Sequence, residues 1–329
     1  MTTVGIPQAL LYYQYYPMWK TFFQHLGAQV VTSPPTTRGT VTSGSARVVA
    51  ETCLPVKVFC GHVISLVGKC DYVFVPSIRS IERDAYNCSK FLGLPDVVKA
   101  VVPECPPLLD PDIDISKEGK RGFYLAIYAL ARRFTWNPLK VKEAAEAAWQ
   151  CHMRFQSQTR EEGITLSCAL SRMEDGMPSD EEGVNPSSAT IALIGHPYVL
   201  YDEYINHRFL QRLRQLGAQV VTPEMAQIQE LDRGVTRLIG KPYWTYEDEV
   251  TGAGGHYLDS QVDGVIAIIA FGCGPDSVMI DVVKRYAQRV SKPFMAITID
   301  EHTAEAGLVT RLEAFMDMLR RRQGWEGKA

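Results

Sequence analysis

The sequence predicts an α/β fold: two similar domains in tandem, each a small parallel sheet covered by helices. Three observations carry this expectation. The 329 residues are enough for two ordinary domains. Both halves alternate short β-rich segments with amphipathic helical ones. And the chain repeats itself, since GIPQALLYYQYYPMWKTFFQHLGAQVVTSP near the start matches GHPYVLYDEYINHRFLQRLRQLGAQVVTPE without a gap at a shift of 190 residues. Gly5, Pro7, Leu10 and the run Leu26–Thr32 then meet identical residues.

In the first copy a β-rich segment ends at Gly5-Ile6-Pro7. A helix follows with Trp19, Phe22, Phe23 and Leu26 at helical spacing. Gly27 suits the position just beyond the helix end, and Ala28-Gln29-Val30-Val31 reads as a buried strand. The unit is β-α-β, so its strands are expected parallel with a right-handed crossover. Asp71–Val75 reads as a third strand and Ala100–Val102 as a fourth. In the second copy Phe209, Leu210, Leu213 and Leu216 form the helix face, Gly217 ends it, and Ala218–Val221 is the strand. Asp263–Ile269 and Phe294–Ile299 complete that sheet. These are Rossmann-like arrangements. From Ser116 to Gln158 the chain is helix-rich, and Met173–Ser188 is polar and rich in turn formers, so it reads as a linker. The expected organisation is a first α/β domain at 1–115, a helical insert and linker at 116–188, and a second α/β domain with a C-terminal helix at 189–329.

Composition removes several function classes. The net charge of −3 argues against a general nucleic-acid binder. The first residues lack the basic start and apolar core of a secretory signal, and no apolar run approaches the roughly 18 residues of a membrane span. A cytoplasmic setting is expected, where disulfides are rare. The eight cysteines are then either buried apolar residues or metal ligands. No pair has C-x-x-C spacing, so any metal site must be assembled from distant segments.

Ligands of parallel α/β sheets sit beyond the carboxyl ends of the strands. Cys273, in AFGCGPDS, and Cys88, in YNCSKFLGLPD, follow the third strands of the two copies. Gly272 and Gly274 flank Cys273, and Pro275 opens the next helix, whose N-terminus favours an anionic group. Cys53 lies before Pro55 at a helix break, with Lys57 near enough to add positive charge. Cys60 sits two helical turns on in apolar surroundings and reads as core. Cys70 precedes a strand and Cys105 lies in the loop PECPPLLDP; both are reserve ligands. Cys151 and Cys168 have no supporting motif. Three cysteines from separate segments suit an iron–sulfur cluster, with zinc held by three Cys and one His as the competitor. His62, His196, His256 and His302 are the candidate fourth ligands. His302, in TIDEHTAEAG, is also a candidate catalytic residue with Glu305 and Lys57, while a helix-capping role for Thr303 and Glu305 is the plain alternative. Tyr12, Tyr13, Tyr15, Tyr16 and Trp19 could line a pocket, though such residues more often form core and rim.

The stretches GIPQALLYYQYYPMWKTFF, ETCLPVKVFCGHV, CSKFLGLPD, GHPYVLYD, FGCGPDS and ITIDEHTAEAGLVTRLEAF resemble the acyl-CoA dehydratase activase-related proteins, often called CoA-substrate-specific enzyme activases. They span nearly the whole chain. More remotely, the sequence is similar to the iron–sulfur subunits of 2-hydroxyacyl-CoA dehydratases and benzoyl-CoA reductases, and to the double-cubane cluster proteins. This resemblance implies two α/β domains with a cluster, in the first place [4Fe–4S], held in the cleft between them by Cys53, Cys88 and Cys273. It implies anaerobic electron transfer: low-potential electrons taken from an ATP-dependent activator of actin-like fold and passed to an acyl-CoA substrate or to a dehydratase or reductase partner. A double cubane would need about six thiolates and would draw on Cys60, Cys70 and Cys105. The chain lacks a G-x-x-x-x-G-K-[ST] phosphate loop, and the GAGG at 252–255 is too weak a substitute, so ATP hydrolysis by this chain is not expected. The alternative is a non-redox acyl-CoA or acyl-chain binding module. The sequence leaves the oligomeric state open.

Overall fold

The computed structural model describes residues 1–81, 85–175 and 189–322. Most of the segment read as a linker lies outside the described residues. The chain divides into two compact units, Met1–Gln158 with Tyr243–Thr245, and Thr159–Pro242 with Tyr246–Ala329.

Unit 1 runs β1 (Thr3–Ile6), α1 (Tyr12–His25), β2 (Gln29–Thr32), α2 (Arg38–Ser45), α3 (Leu54–Leu66), β3 (Tyr72–Phe74), β4 (Ser77–Ser80), α4 (Ser89–Leu92), α5 (Leu94–Val101), β5 (Leu108–Leu109), β6 (Asp112–Asp114), α6 (Ile115–Glu118), α7 (Lys120–Ala131) and α8 (Pro138–Glu161). Its main sheet has the order β2-β1-β3-β5, all parallel. Strands β4 and β6 pair separately. The apolar face of α1 packs on the sheet: Trp19 and Phe23 lie with ring centroids 4.5 and 5.3 Å from Phe74. Helix α1 ends where the sequence places the end, with Gly27 at φ 92°.

Unit 2 contains α9 (Leu166–Asp175), β7 (Ala189–Ile194), α10 (Pro197–Leu200), α11 (Phe209–Gln215), β8 (Ala218–Val221), α12 (Ile228–Ile239), α13 (Thr251–Asp259), β9 (Gly264–Ala270), α14 (Gly274–Arg289), β10 (Phe294–Ile299) and α15 (Glu305–Arg322). Short 3₁₀ turns occupy Pro223–Met225 and Glu247–Glu249. The sheet order is β8-β7-β9-β10, again parallel. This is the unit 1 order with new strands. Strand β9 is buried along its whole length, as expected for a parallel strand covered on both faces. The helix-rich middle of the chain is divided: α6, α7 and most of α8 belong to unit 1, and α9 belongs to unit 2.

The duplication reaches further than the sequence match. Each copy ties its first strand to the start of its third in the same way. The Thr3 amide donates to Asp71 Oδ2 at 2.7 Å, and the Asp71 amide returns a bond to Thr3 O. Thr190 and Asp263 repeat both bonds. Strand pairing also corrects the ungapped alignment. Thr3 faces Gln29 on β2, and the residue facing Gln219 on β8 is Thr190, not Leu193. The first strands therefore correspond at a shift of 187 and the second strands at 190. Three residues are added between them in the second copy. A second correction concerns unit 1: Ala100–Val102 lies at the end of helix α5, and the fourth strand is Leu108–Leu109. Leu94, Pro95 and Val98 form the buried side of α5, Pro95 lies in its first turn and Asp96 supplies early negative charge. These are helix-start signals that outweigh the short Val-Val run.

Between second and third strands each copy inserts a helix pair in close backbone contact. A Cβ on Gly44 of α2 would lie 1.9 Å from Lys57 O, and one on Gly61 of α3 would lie 2.0 Å from Thr40 O. In unit 2 a Cβ on Gly234 of α12 would lie 2.1 Å from Gly252 O on α13. The GAGG run is thus helix-packing surface. Among the described residues no helix is long and apolar enough to cross a membrane. Gly61→Ala and Gly234→Ala should each cost about 1–3 kcal/mol or more by overpacking. Gly307→Ala on α15, where an added methyl meets open space, should raise stability by up to about 1 kcal/mol. Urea unfolding of the three variants checks the contrast.

Candidate functional site

Cys53, Cys88 and Cys273 share one local structure. Each is the N-cap residue of a helix: Cys53 of α3, Cys88 of the single turn α4, and Cys273 of α14. Each has extended backbone, with ψ of 147°, 156° and 107°. Each is partly exposed, and none of the eight cysteines is in a disulfide. At a helix start the first amides lack intrahelical partners and carry partial positive charge, which favours a thiolate or another anion. Two of the three belong to a Cys-x-Pro sequence, Cys53-Leu54-Pro55 and Cys273-Gly274-Pro275. The proline fixes the first turn without wasting a donor. Gly272, at φ 81°, makes the turn into Cys273. Cys53 and Cys88 lie in unit 1 and Cys273 in unit 2.

The remaining cysteines lie elsewhere. Cys60 is fully buried on α3, and burial pushes its thiol up to about 12. Cys70 donates to Leu66 O at 3.6 Å, and burial raises its thiol too. Burial also pushes Cys105 up to about 11, helped by neighbouring Cys70 and Glu104. The register of β3 against β5 accounts for that neighbourhood, since Val73 faces Leu108 and each cysteine lies three residues earlier. Cys151 and Cys168 are buried. Among the described residues no group of three or more His, Cys, Asp or Glu side chains is arranged to hold a metal ion.

Lys57 is buried, and its Nζ donates to Ala50 O at 2.9 Å, which ties down the loop leading to Cys53. Its charge therefore sits behind the α3 N-terminus. His302 is exposed in the turn before α15, where its amide donates to Asp300 Oδ1. Asp300 and Thr303 close that turn, and Glu305 pairs with Arg212. Thr303 Oγ1 thus bonds back to Asp300 within the turn. Tyr12, Tyr16 and Trp19 are core residues.

The histidines of the two units have opposite environments. His62 on α3 is buried with Nδ1 2.8 Å from Ser33 Oγ and Nε2 2.8 Å from Thr36 Oγ1. Burial lowers it to about 4. His196 caps α10 and lies between two carboxylates, Glu249 and Asp276. Burial alone would lower it, but Asp276 and Glu249 together hold it well above the usual histidine range. The sequence reading offered His196 only as a zinc ligand. Its partners are 53 and 80 residues away, and the one local hint was Asp276 directly after the Cys-Gly-Pro turn.

The depressed His62 has a measurable consequence. Between its ordinary value of 6.5 and its folded value of about 4, the unfolded chain binds a proton that the folded chain refuses. Stability should therefore fall as pH drops through that window, by roughly 3 kcal/mol from this group. Denaturant unfolding from pH 7 to 4 should show that loss, and His62→Gln should flatten it.

The family described as the CoA enzyme activase uncharacterised domain, DUF2229, matches residues 3–226. A search of curated proteins finds no match. The matched span holds Cys53 and Cys88 and ends before Cys273. With about two thirds of its length matched, the chain belongs to the CoA enzyme activase domain family, the acyl-CoA dehydratase activase-related proteins of the sequence resemblance.

Proposed function

We propose that this protein is an iron–sulfur electron carrier serving a CoA-dependent enzyme, with Cys53, Cys88 and Cys273 as the cluster ligands. The observation that supports it is the shared N-cap position of these three partly exposed thiols. The donor set fits a cluster: thiolates hold iron–sulfur centres, and three of them leave one iron open to another ligand. A bound [4Fe–4S] cluster would supply a one-electron store. The chain's own part is to hold three thiolates, to present helix-start amides to their negative charge, and to let the Gly272–Gly274 backbone approach closely. In this reading the electron comes from an ATP-dependent activator of actin-like fold and goes to an acyl-CoA substrate or a dehydratase or reductase partner. A double cubane recruiting Cys60, Cys70 and Cys105 is the larger version. Their raised thiols make them costlier ligands, because each must lose a proton to bind.

Anaerobic reconstitution with iron and sulfide should give a brown protein with about four irons per chain. Cys53→Ser, Cys88→Ser and Cys273→Ser should each lose the colour, while Cys168→Ser keeps it. A colourless protein, or one that takes up only zinc, would sink the proposal.

One observation favours a second reading, an acyl-binding module without redox chemistry. Unit 1 has a groove of about 490 Å³ beyond the carboxyl end of β5. Leu108, Leu125, Ala129 and Leu130 line it, together with Arg133 and three aspartates, Asp110, Asp112 and Asp114. An acyl chain suits the apolar part of that lining. Thermal stabilisation by an acyl-CoA that survives Cys88→Ser but is lost in Leu125→Asp would favour this reading.

A further inference from the structure

A buried ion triad stands at the carboxyl edge of the unit 2 sheet. His196 lies two residues past the end of β7, with Nδ1 2.5 Å from Glu249 Oε2 and Nε2 2.8 Å from Asp276 Oδ1. The three side chains are only 7%, 9% and 2% exposed. Ionised carboxylates can only accept hydrogen bonds. Two such bonds from one ring require an N–H on both nitrogens, which is an imidazolium. Glu247 is buried in the same 3₁₀ turn as Glu249, and Asp248 lies within electrostatic reach of the ring. Tyr198 stacks on the ring with centroids 5.1 Å apart, and the charged groups that these contacts bring to His196 are acidic.

The triad sits at a meaningful place. Strands β7 and β9 are neighbours, and the chain leaves them toward opposite edges of the sheet, to β8 and to β10. That switch point is where doubly wound sheets open toward ligands. One imidazole there ties together three segments: the turn after β7, the Glu247–Glu249 turn and the first turn of α14. Asp276 belongs to that first turn, three residues after the N-cap Cys273. Ser277 Oγ also braces the turn, donating to Cys273 O at 2.8 Å.

We propose that His196 is a positioning residue for Cys273: the Glu249–His196–Asp276 triad clamps the first turn of α14 and so fixes the direction of the Cys273 thiol. The proposal rests on Cys273 as a functional ligand, but the clamp itself is a property of the metal-free chain. Without the imidazole, two buried carboxylates are left facing each other. Asp276 then loses the buried partner that holds it, which releases the turn that carries Cys273.

The test uses the metal-free full-length protein. Alkylation of each cysteine by iodoacetamide is followed by peptide mass spectrometry in the wild type and in His196→Gln. The variant should change the Cys273 rate by about fivefold or more, while Cys53 and the buried Cys60 keep their wild-type rates. An unchanged Cys273 rate overturns the proposal. So does a Cys273 change matched by Cys60, because that reports general unfolding rather than a local clamp. Should the variant fail to fold, nitrogen-15 spectra of the wild-type imidazoles decide the charge state. Both His196 nitrogens should carry protons at neutral pH, and a neutral tautomer there contradicts the triad. Iron is absent from every arm, so these outcomes are separate from the fate of the cluster reading.

Discussion

A parallel sheet has a direction, and that constraint organises the whole molecule. In each unit the strands point the same way, so the turns that follow them emerge at one edge. A helix that follows such a turn starts there, and its first amides point outward unpaired. Cys88 and Cys273 come after the third strands of their units, at helix starts. Cys53 starts the helix that leads back into β3. The polarity of the fold thus places three of the eight thiols at electropositive helix starts, while burial raises the thiols of Cys60, Cys70 and Cys105.

Close helix packing supports that arrangement. Glycines at the α2–α3 and α12–α13 contacts bring backbones together without intervening side chains. The first contact fixes α3, which carries Cys53 at its start, His62 along its length and Lys57 in its first turns. The equivalent contact in unit 2 backs α13, which follows directly on the Glu247–Glu249 turn of the ion triad. Duplication preserved the packing device while the polar chemistry diverged. Unit 1 holds a neutral imidazole between two hydroxyls, and unit 2 a charged one between two carboxylates.

Much of this was legible in the residues. The parallel sheets, the glycines ending α1 and α11, and the strand Phe294–Ile299 follow from periodicity and turn chemistry, because those signals are local. The fourth strand of unit 1 was misread because its two residues sit among prolines, while the Val-rich end of α5 imitates a strand. Register was misread because identity around Gly-x-Pro pulled the alignment three residues off the hydrogen-bonded pairing. The GAGG run looked like a feeble phosphate loop because sequence alone does not show a facing helix. The ion triad was invisible for the same reason: its partners come from three separate segments, and only the folded sheet edge brings them together.

The central claim is that Cys53, Cys88 and Cys273 act as one ligand set. Thiol footprinting of iron-loaded against iron-free protein tests it most directly, reading every cysteine in one experiment. The account requires all three to become protected together on loading, while Cys70 and Cys105 react as before. Protection that spares any one of the three, or that falls on Cys70 and Cys105 instead, would contradict it.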